Sequence, residues 1–161
     1  MQMRYVFLMM LALFSAQAEV AAEAKVGETT ISDSWARATA PGQTNGAIYL
    51  TIASQKEASI VAVSSAIANS ASLHSMTHED GIMKMRELDV LPLPARQEVK
   101  LNSGGNHIML DGLKRPLKVG DSVPLILTVQ YADQRIEKFR LTVQVKPLTL
   151  NHSNHENHQD H

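Results

Sequence analysis

Between Ser122 and Tyr131 the residues Val123, Leu125, Leu127, Val129 and Tyr131 fall on every second position, and Phe139, Leu141, Val143 and Val145 repeat the pattern a few residues later. Period two is the mark of a strand with one buried face, because successive side chains leave a strand on opposite sides. Asp133-Gln134 supplies a tight connection, so the two runs predict a core hairpin. Segments of similar character precede it: Thr29 to Ala38, Gly46 to Ala53, Ser59 to Ser64, Ser70 to Thr77, Ile82 to Val90, Glu98 to Leu101 and His107 to Leu110. Pro41-Gly42, Asp80-Gly81, Ser103-Gly104-Gly105 and Gly120-Asp121 punctuate them as turns. Short strands at this spacing predict an all-β chain, folded as an antiparallel sandwich. Ala62 to Ala71 admits a short helix, a reading weakened by its Val, Ser and Ile content.

The first residues read as an export signal. Arg4 gives the positive start, Tyr5 to Phe14 the apolar run and Ala16-Gln17-Ala18 a small-residue cleavage site, so residues 1–18 form a signal peptide and the mature chain starts near Glu19. A cut after Ala22-Glu23-Ala24 is the alternative. No other stretch is apolar enough to span a bilayer, so no membrane insertion is expected once the signal is removed. The expected compartment is the periplasm. Residues 19–148 make one domain, of a size that buries roughly 70% of its extended-chain surface. From Asn151 the chain is wholly polar, and residues 149–161 are expected to be a disordered His-rich tail.

The chain holds 15 Lys and Arg against 16 Asp and Glu. With Arg4 removed the balance is −2, which gives nucleic acid nothing to bind. There is no cysteine. Disulfides, lipid attachment through cysteine, thiolate zinc sites and blue-copper centres are therefore excluded. In an oxidising space the thioether of methionine is the more durable soft ligand, since it forms no disulfide and its sulfoxide is reversible.

All four methionines beyond the signal (Met76, Met83, Met85 and Met109) lie in the window from His74 to Met109, with three of the seven histidines. His74, ten residues, Met85, twenty-one residues and His107-Ile108-Met109 supply two imidazoles and two thioethers, a donor set that suits Cu(I) better than Zn(II), Mg(II) or Ca(II). With each residue type near one in twenty, a chance match somewhere in the chain has odds on the order of one in 10³. Asp80-Gly81 reads as a hairpin turn. If those two residues form the loop, Met76 faces Met85 with His74 diagonal to it; if Glu79-Asp80 form it, His74 faces Met85. Either register leaves His74 and Met85 on one face. His107 and Met109, two apart, also share a face, and Ser103-Gly104-Gly105 gives a turn able to bring them near the hairpin. The ordinary alternative is that methionines fill a core and histidines face solvent. Met76, Met83 and His78 stay closer to that alternative, Met76 being the best auxiliary donor and His78 a solvated residue beside the turn.

His74-x10-Met85-x21-His107-x-Met109 resembles the copper signature of the periplasmic copper chaperone family PCuAC (DUF461). The likeness extends to Trp35-Ala36-Arg37-Ala38-Thr39-Ala40-Pro41-Gly42, Gly46-Ala47-Ile48-Tyr49, Gly81-Ile82-Met83-Lys84-Met85-Arg86 and Leu113-Lys114 through Gly120-Asp121, and it covers Ser34 to Val145. The resemblance implies a cupredoxin-like Greek-key β-sandwich with one Cu(I) at a shallow edge site held by His74, Met85, His107 and Met109. It also implies delivery of copper to the binuclear copper centre of cytochrome c oxidase, alongside a thioredoxin-like copper chaperone.

Four neutral ligands leave Cu(I) with its full charge and no thiolate to retain it, so a cysteine-bearing acceptor would draw it off by stepwise exchange. That is delivery by a non-enzymatic protein, expected to be a monomer. Thioethers do not compete with protons near neutral pH and imidazoles do in mild acid, so partial retention of Cu(I) is expected there. His152, His155, His158 and His161 recur every three residues, the composition of a loose Cu(II), Zn(II) or Ni(II) binder, or of a merely solvated tail. Copper buffering or resistance, with the tail as a metal sponge, is the competing function. A terminal-amine oxygenase lacks its histidine at Glu19, a blue-copper carrier lacks cysteine, and no Gly-x-Ser-x-Gly elbow supports hydrolysis. A metal-free adhesive sandwich would bind no Cu(I).

Overall fold

The computed structural model describes residues 24–147, and the proposed signal peptide and His-rich tail lie outside them. Eleven strands and no helix occur among the described residues. They are β1 (Ala24–Val26), β2 (Thr29–Arg37), β3 (Gly46–Ser54), β4 (Ala58–Ser64), β5 (Ala68–Glu79), β6 (Ile82–Leu88), β7 (Leu91–Leu93), β8 (Glu98–Leu101), β9 (His107–Leu113), β10 (Ser122–Tyr131) and β11 (Ile136–Lys146). The helical alternative at Ala62 to Ala71 is absent: the end of β4, a turn closed by Ala68 N–H donating to Ser65 O, and the start of β5 occupy it.

Hydrogen bonding runs β6-β5-β9-β3-β2-β11-β10-β4-β7, with β1 added to β2 and β8 to β3. Both ends of this path feed one apolar cluster. Leu73, Ile108, Leu110 and Ile48 come from one half, Leu125, Leu127, Val129, Phe139, Ile60 and Leu93 from the other, all at or below 4% exposure. The path therefore folds over on itself and closes its apolar faces together, giving a cupredoxin-like Greek-key β-sandwich. The segment from β7 to β8 steps between halves, since β7 pairs with β4 and β8 with β3.

The β10–β11 hairpin matches its sequence pattern. Val123 lies opposite Val143, Leu125 opposite Leu141 and Leu127 opposite Phe139, so both alternating sets meet on the core side. Gln134 takes a positive φ of 67° in the connection, and its N–H donates to Tyr131 O. Two short strands escape the pattern. β7 is Leu-Pro-Leu, and Pro92 is tolerated because it sits at the end of the sheet path; β1 is three residues long.

One polar group inside the core is fully accounted for. The Thr29 hydroxyl, completely buried, lies 2.7 Å from the Tyr131 hydroxyl, which donates to Glu137 Oε2 at 2.8 Å. Burial pushes the Tyr131 phenol above its ordinary range, and the Glu137 carboxylate adds to the shift while the Thr29 bond opposes it. Tyr131→Phe leaves the Thr29 hydroxyl unpartnered and is expected to cost about 1–3 kcal/mol. Leu127→Ala, which opens a cavity, is expected to cost about 2–5 kcal/mol. Urea unfolding of the two variants checks both, and a neutral Tyr131→Phe would show that the network is dispensable.

Candidate metal centre

β9 lies between β5 and β3 and brings the two halves of the motif together. His74 is the cross-strand partner of His107, Ser72 of Met109, and across the hairpin Met76 of Met85. Partners in a ladder share a face, so Ser72, His74, Met76, Met85, His107 and Met109 all stand on the same side of the sheet. The opposite side at the same strands carries Leu73, Ile108 and Leu110 into the core.

The hairpin takes the first of the two sequence registers. Glu79 pairs with Ile82, leaving Asp80-Gly81 as the loop, with φ of 52° and 78°. Positive φ at both positions suits the twist of the flanking strands, and glycine at the second adopts it without strain.

A loop supplies the other half. β8 and β9 both pair with β3, and the register jumps from Leu101 opposite Leu50 to Ile108 opposite Ile48, so the residues between them are thrown out of the sheet. Asn102 Oδ1 accepts from Gly104 N–H at 3.0 Å, and Asn102 N–H donates to Asn106 O at 2.8 Å, closing the excursion on itself. Its Gly105 carbonyl accepts twice: from Met76 N–H at 3.1 Å and from His107 Nδ1–H at 3.1 Å. A carbonyl only accepts, so Nδ1 of neutral His107 holds the proton and Nε2 keeps its lone pair.

His107 is 5% exposed, and its ring lies 5.8 Å from that of His74, with 30° between the planes. His74 Nε2 is 2.8 Å from Ser72 Oγ, whereas its Nδ1 is buried with no partner. An orphaned buried nitrogen costs about 1–3 kcal/mol unless a ligand uses it.

Beside the two rings opens a concavity of about 340 Å³ lined by Met76, Met85, His107 and Met109 together with Arg37, Gln43, Asn45 and Tyr49. No carboxylate lines it, so hard cations, which need several oxygens, are poorly served. Among the described residues no group of three or more His, Asp or Glu side chains is placed to hold a metal, so any metal here must use the thioethers.

The structure thus collects Met85, His107 and Met109 at one concavity and sets His74 beside His107, just behind the wall. It also puts Met76, the auxiliary residue, in the wall itself. His152, His155, His158 and His161 lie outside the described residues. Ser72 and the Gly105 carbonyl, which orient the two rings, were not singled out in the sequence; Ser72 stands two positions before His74 on the same strand face, the signal that could have found it. His78 is exposed, as expected beside the turn, but Met83 Sδ lies 3.1 Å from its Nδ1.

β6 forms the open side of the centre: Met83 is 49% and Met85 47% exposed, while Met109 is half-buried. Brief peroxide treatment is expected to convert Met83 and Met85 to sulfoxides before Met109. Peptide mass spectrometry reads the order, and equal rates at all three would contradict an opening along β6.

Known proteins share this architecture. The apo PCuAC domain of PmoF1 superposes with a TM-score of 0.61 at 23% identity, covering 78% of this chain and all of that domain. Apo-DR1885 of Deinococcus radiodurans gives 0.54 at 29% identity over 90% of this chain and 97% of its own, and its Cu(I) form 0.50 at 33% over 71% and 74%. A protein of Leifsonia xyli subsp. xyli whose name describes it as a lipoprotein, Lxx21020, is 31% identical over 104 residues, 64% of this chain; the match spans 61% of that relative's length. The LpqE-like family model matches residues 29–144. With the sandwich and these matches together, the chain belongs to the LpqE-like (DUF461) family, that of the PCuAC domains.

Proposed function

We propose that this chain is an exported Cu(I) metallochaperone whose core site is His74, Met85, His107 and Met109, with Met76 assisting. The observation that carries the reading is the orphaned, buried Nδ1 of His74, whose ring lies 5.8 Å from that of His107, behind a concavity walled by His107 and three thioethers and no carboxylate. Two imidazole nitrogens and soft sulfurs in that setting favour monovalent copper. The Cu(I) form of DR1885, on the same fold, supports the choice of metal.

Copper is cargo here, and no substrate bond is broken. Gly105 O and Ser72 Oγ hold the rings, so the nitrogen donors stay in place while the exposed Met85 is free to swing away. A thiolate of an acceptor replaces Met85 first and the remaining neutral donors in turn, the metal moving to the anionic ligands it prefers. The binuclear copper site of cytochrome c oxidase, or a thioredoxin-like copper chaperone in front of it, is the acceptor we infer from the family. The periplasm is the compartment in which such a transfer takes place, and the protein acts as a monomer. The His-rich tail, with His152, His155, His158 and His161, would take Cu(II) as an auxiliary.

The test is an anaerobic Cu(I) competition titration against a chromophoric chelator. One-to-one binding is expected, lost in His107→Ala and retained in a chain ending at Leu150. Binding that follows the tail would instead identify a copper buffer. Ser72→Ala, which frees the His74 ring without touching a donor, is expected to weaken Cu(I) by about 10- to 100-fold, the usual effect of removing a group that orients a ligand. At mildly acidic pH part of the Cu(I) should remain bound, since protons compete with the imidazoles only; a steep, complete loss would argue against thioether ligation.

A further inference from the structure

The hairpin carries a second imidazole–thioether pair beyond the core site. His78 and Met83 are cross-strand partners, both exposed, on the face that holds Met76 and Met85. Nδ1 of His78 lies 3.1 Å from Sδ of Met83. Thioether sulfur is a weak hydrogen-bond acceptor, and two exposed side chains have solvent to choose instead. The charges nearest the pair across the strands lie on the reverse face, where Glu79 accepts from Lys84 at 2.8 Å and from Arg86 at 3.3 Å; Glu87, on the donor face, stands two rungs away opposite His74. The Lys84 bond, then the Arg86 charge, hold the Glu79 carboxyl below its ordinary range. The His78–Met83 pair is therefore a soft donor set whose strand neighbour Glu79 is engaged by Lys84 and Arg86 on the other face.

We propose that His78 Nδ1 and Met83 Sδ form a second, outer Cu(I) site at the hairpin tip. It rests on the copper reading of the core site. Cu(I) is a closed-shell d10 ion that accepts two donors. Metal bonds of the length zinc makes, about 2.0 Å to nitrogen and about 2.3 Å to sulfur, set in a two-donor arrangement would require the two atoms to part by roughly 1 Å, which exposed side chains next to a two-residue turn can do. Rungs on one face of a hairpin succeed one another at two-residue steps of about 7 Å. His78/Met83 is thus one step outside Met76/Met85, and that pair is one step outside His74 and His107. Metal moves along such a ladder by exchanging one neutral donor for the next, with no change of oxidation state. With two donors, the outer site binds more weakly than the core and fills after it.

The exported chain, once residues 1–18 are removed, has methionines at 76, 83, 85 and 109 and none in its tail, so methyl-13C methionine NMR reports on the hairpin and core without interference from the tail histidines. Anaerobic addition of Cu(I) is expected to shift the Met85 and Met109 methyls over the first equivalent and the Met83 methyl over the next. In His78→Ala the Met83 shift disappears and the first event is unchanged; both residues of the tip are exposed, so folding is not at stake. A Met83 methyl that stays in place through the second equivalent, after the core has saturated, or that moves equally in His78→Ala, overturns the outer site and leaves the core reading intact. If no methionine methyl responds, the copper reading fails, and the outer site with it.

Discussion

The double pairing of β9 is the constraint on which the rest of this molecule depends. One strand, hydrogen-bonded to β5 and to β3, sends Ile108 and Leu110 into the core and His107 and Met109 to the other face. Because side chains alternate strictly, the packing that stabilises the sandwich also fixes which way the donors point. A slip of one residue would turn two fully buried aliphatic side chains out of the core and turn the donors into it. The site inherits its precision from the apolar core and needs no stiffening of its own on that strand.

The donors across the ladder are less uniformly held. His107 is tied through Gly105 O and His74 through Ser72 Oγ, whereas Met85 stands on β6 at the end of the sheet path. Gly105 O binds the loop both to the His107 ring and to the Met76 backbone, so the loop and the hairpin are locked to one another before any ligand arrives. The geometry divides the donors into nitrogens held by hydrogen bonds and a half-exposed sulfur on an edge strand. On the proposed copper reading, a carrier that must keep its metal from solvent and still surrender it to a better ligand calls for that division.

Much of this was readable from residues alone, where one physical rule dominated. The β10–β11 hairpin followed from alternation, because both strands bury a single face. That His74 and Met85 share a face followed from period two in either register; which register holds was decided only by Asp80 and Gly81 both adopting positive φ. What could not be read was long-range. Nothing local says that β9 lies against β5, or that the residues between Leu101 and Ile108 loop out to reach Met76. Leu91–Leu93 escaped because a proline in three residues looks like a linker until the sheet end that tolerates it is known. The ring-orienting role of Ser72 was hidden for a different reason: serine is common, and only the 2.8 Å contact with Nε2 marks this one.

On the proposed copper reading, the orphaned Nδ1 of His74 links stability to function. Left empty, it costs the apo fold about 1–3 kcal/mol, a sizeable share of the 5–15 kcal/mol that holds a domain together. The sandwich bears that cost because its core is dense elsewhere, and a metal that occupies the nitrogen relieves it. On that same reading, an anionic cysteine of an acceptor has to overcome neutral donors only, one of which is half exposed. A site built instead with a carboxylate in the wall would hold the cation more strongly and give it up more slowly, and the wall here has none.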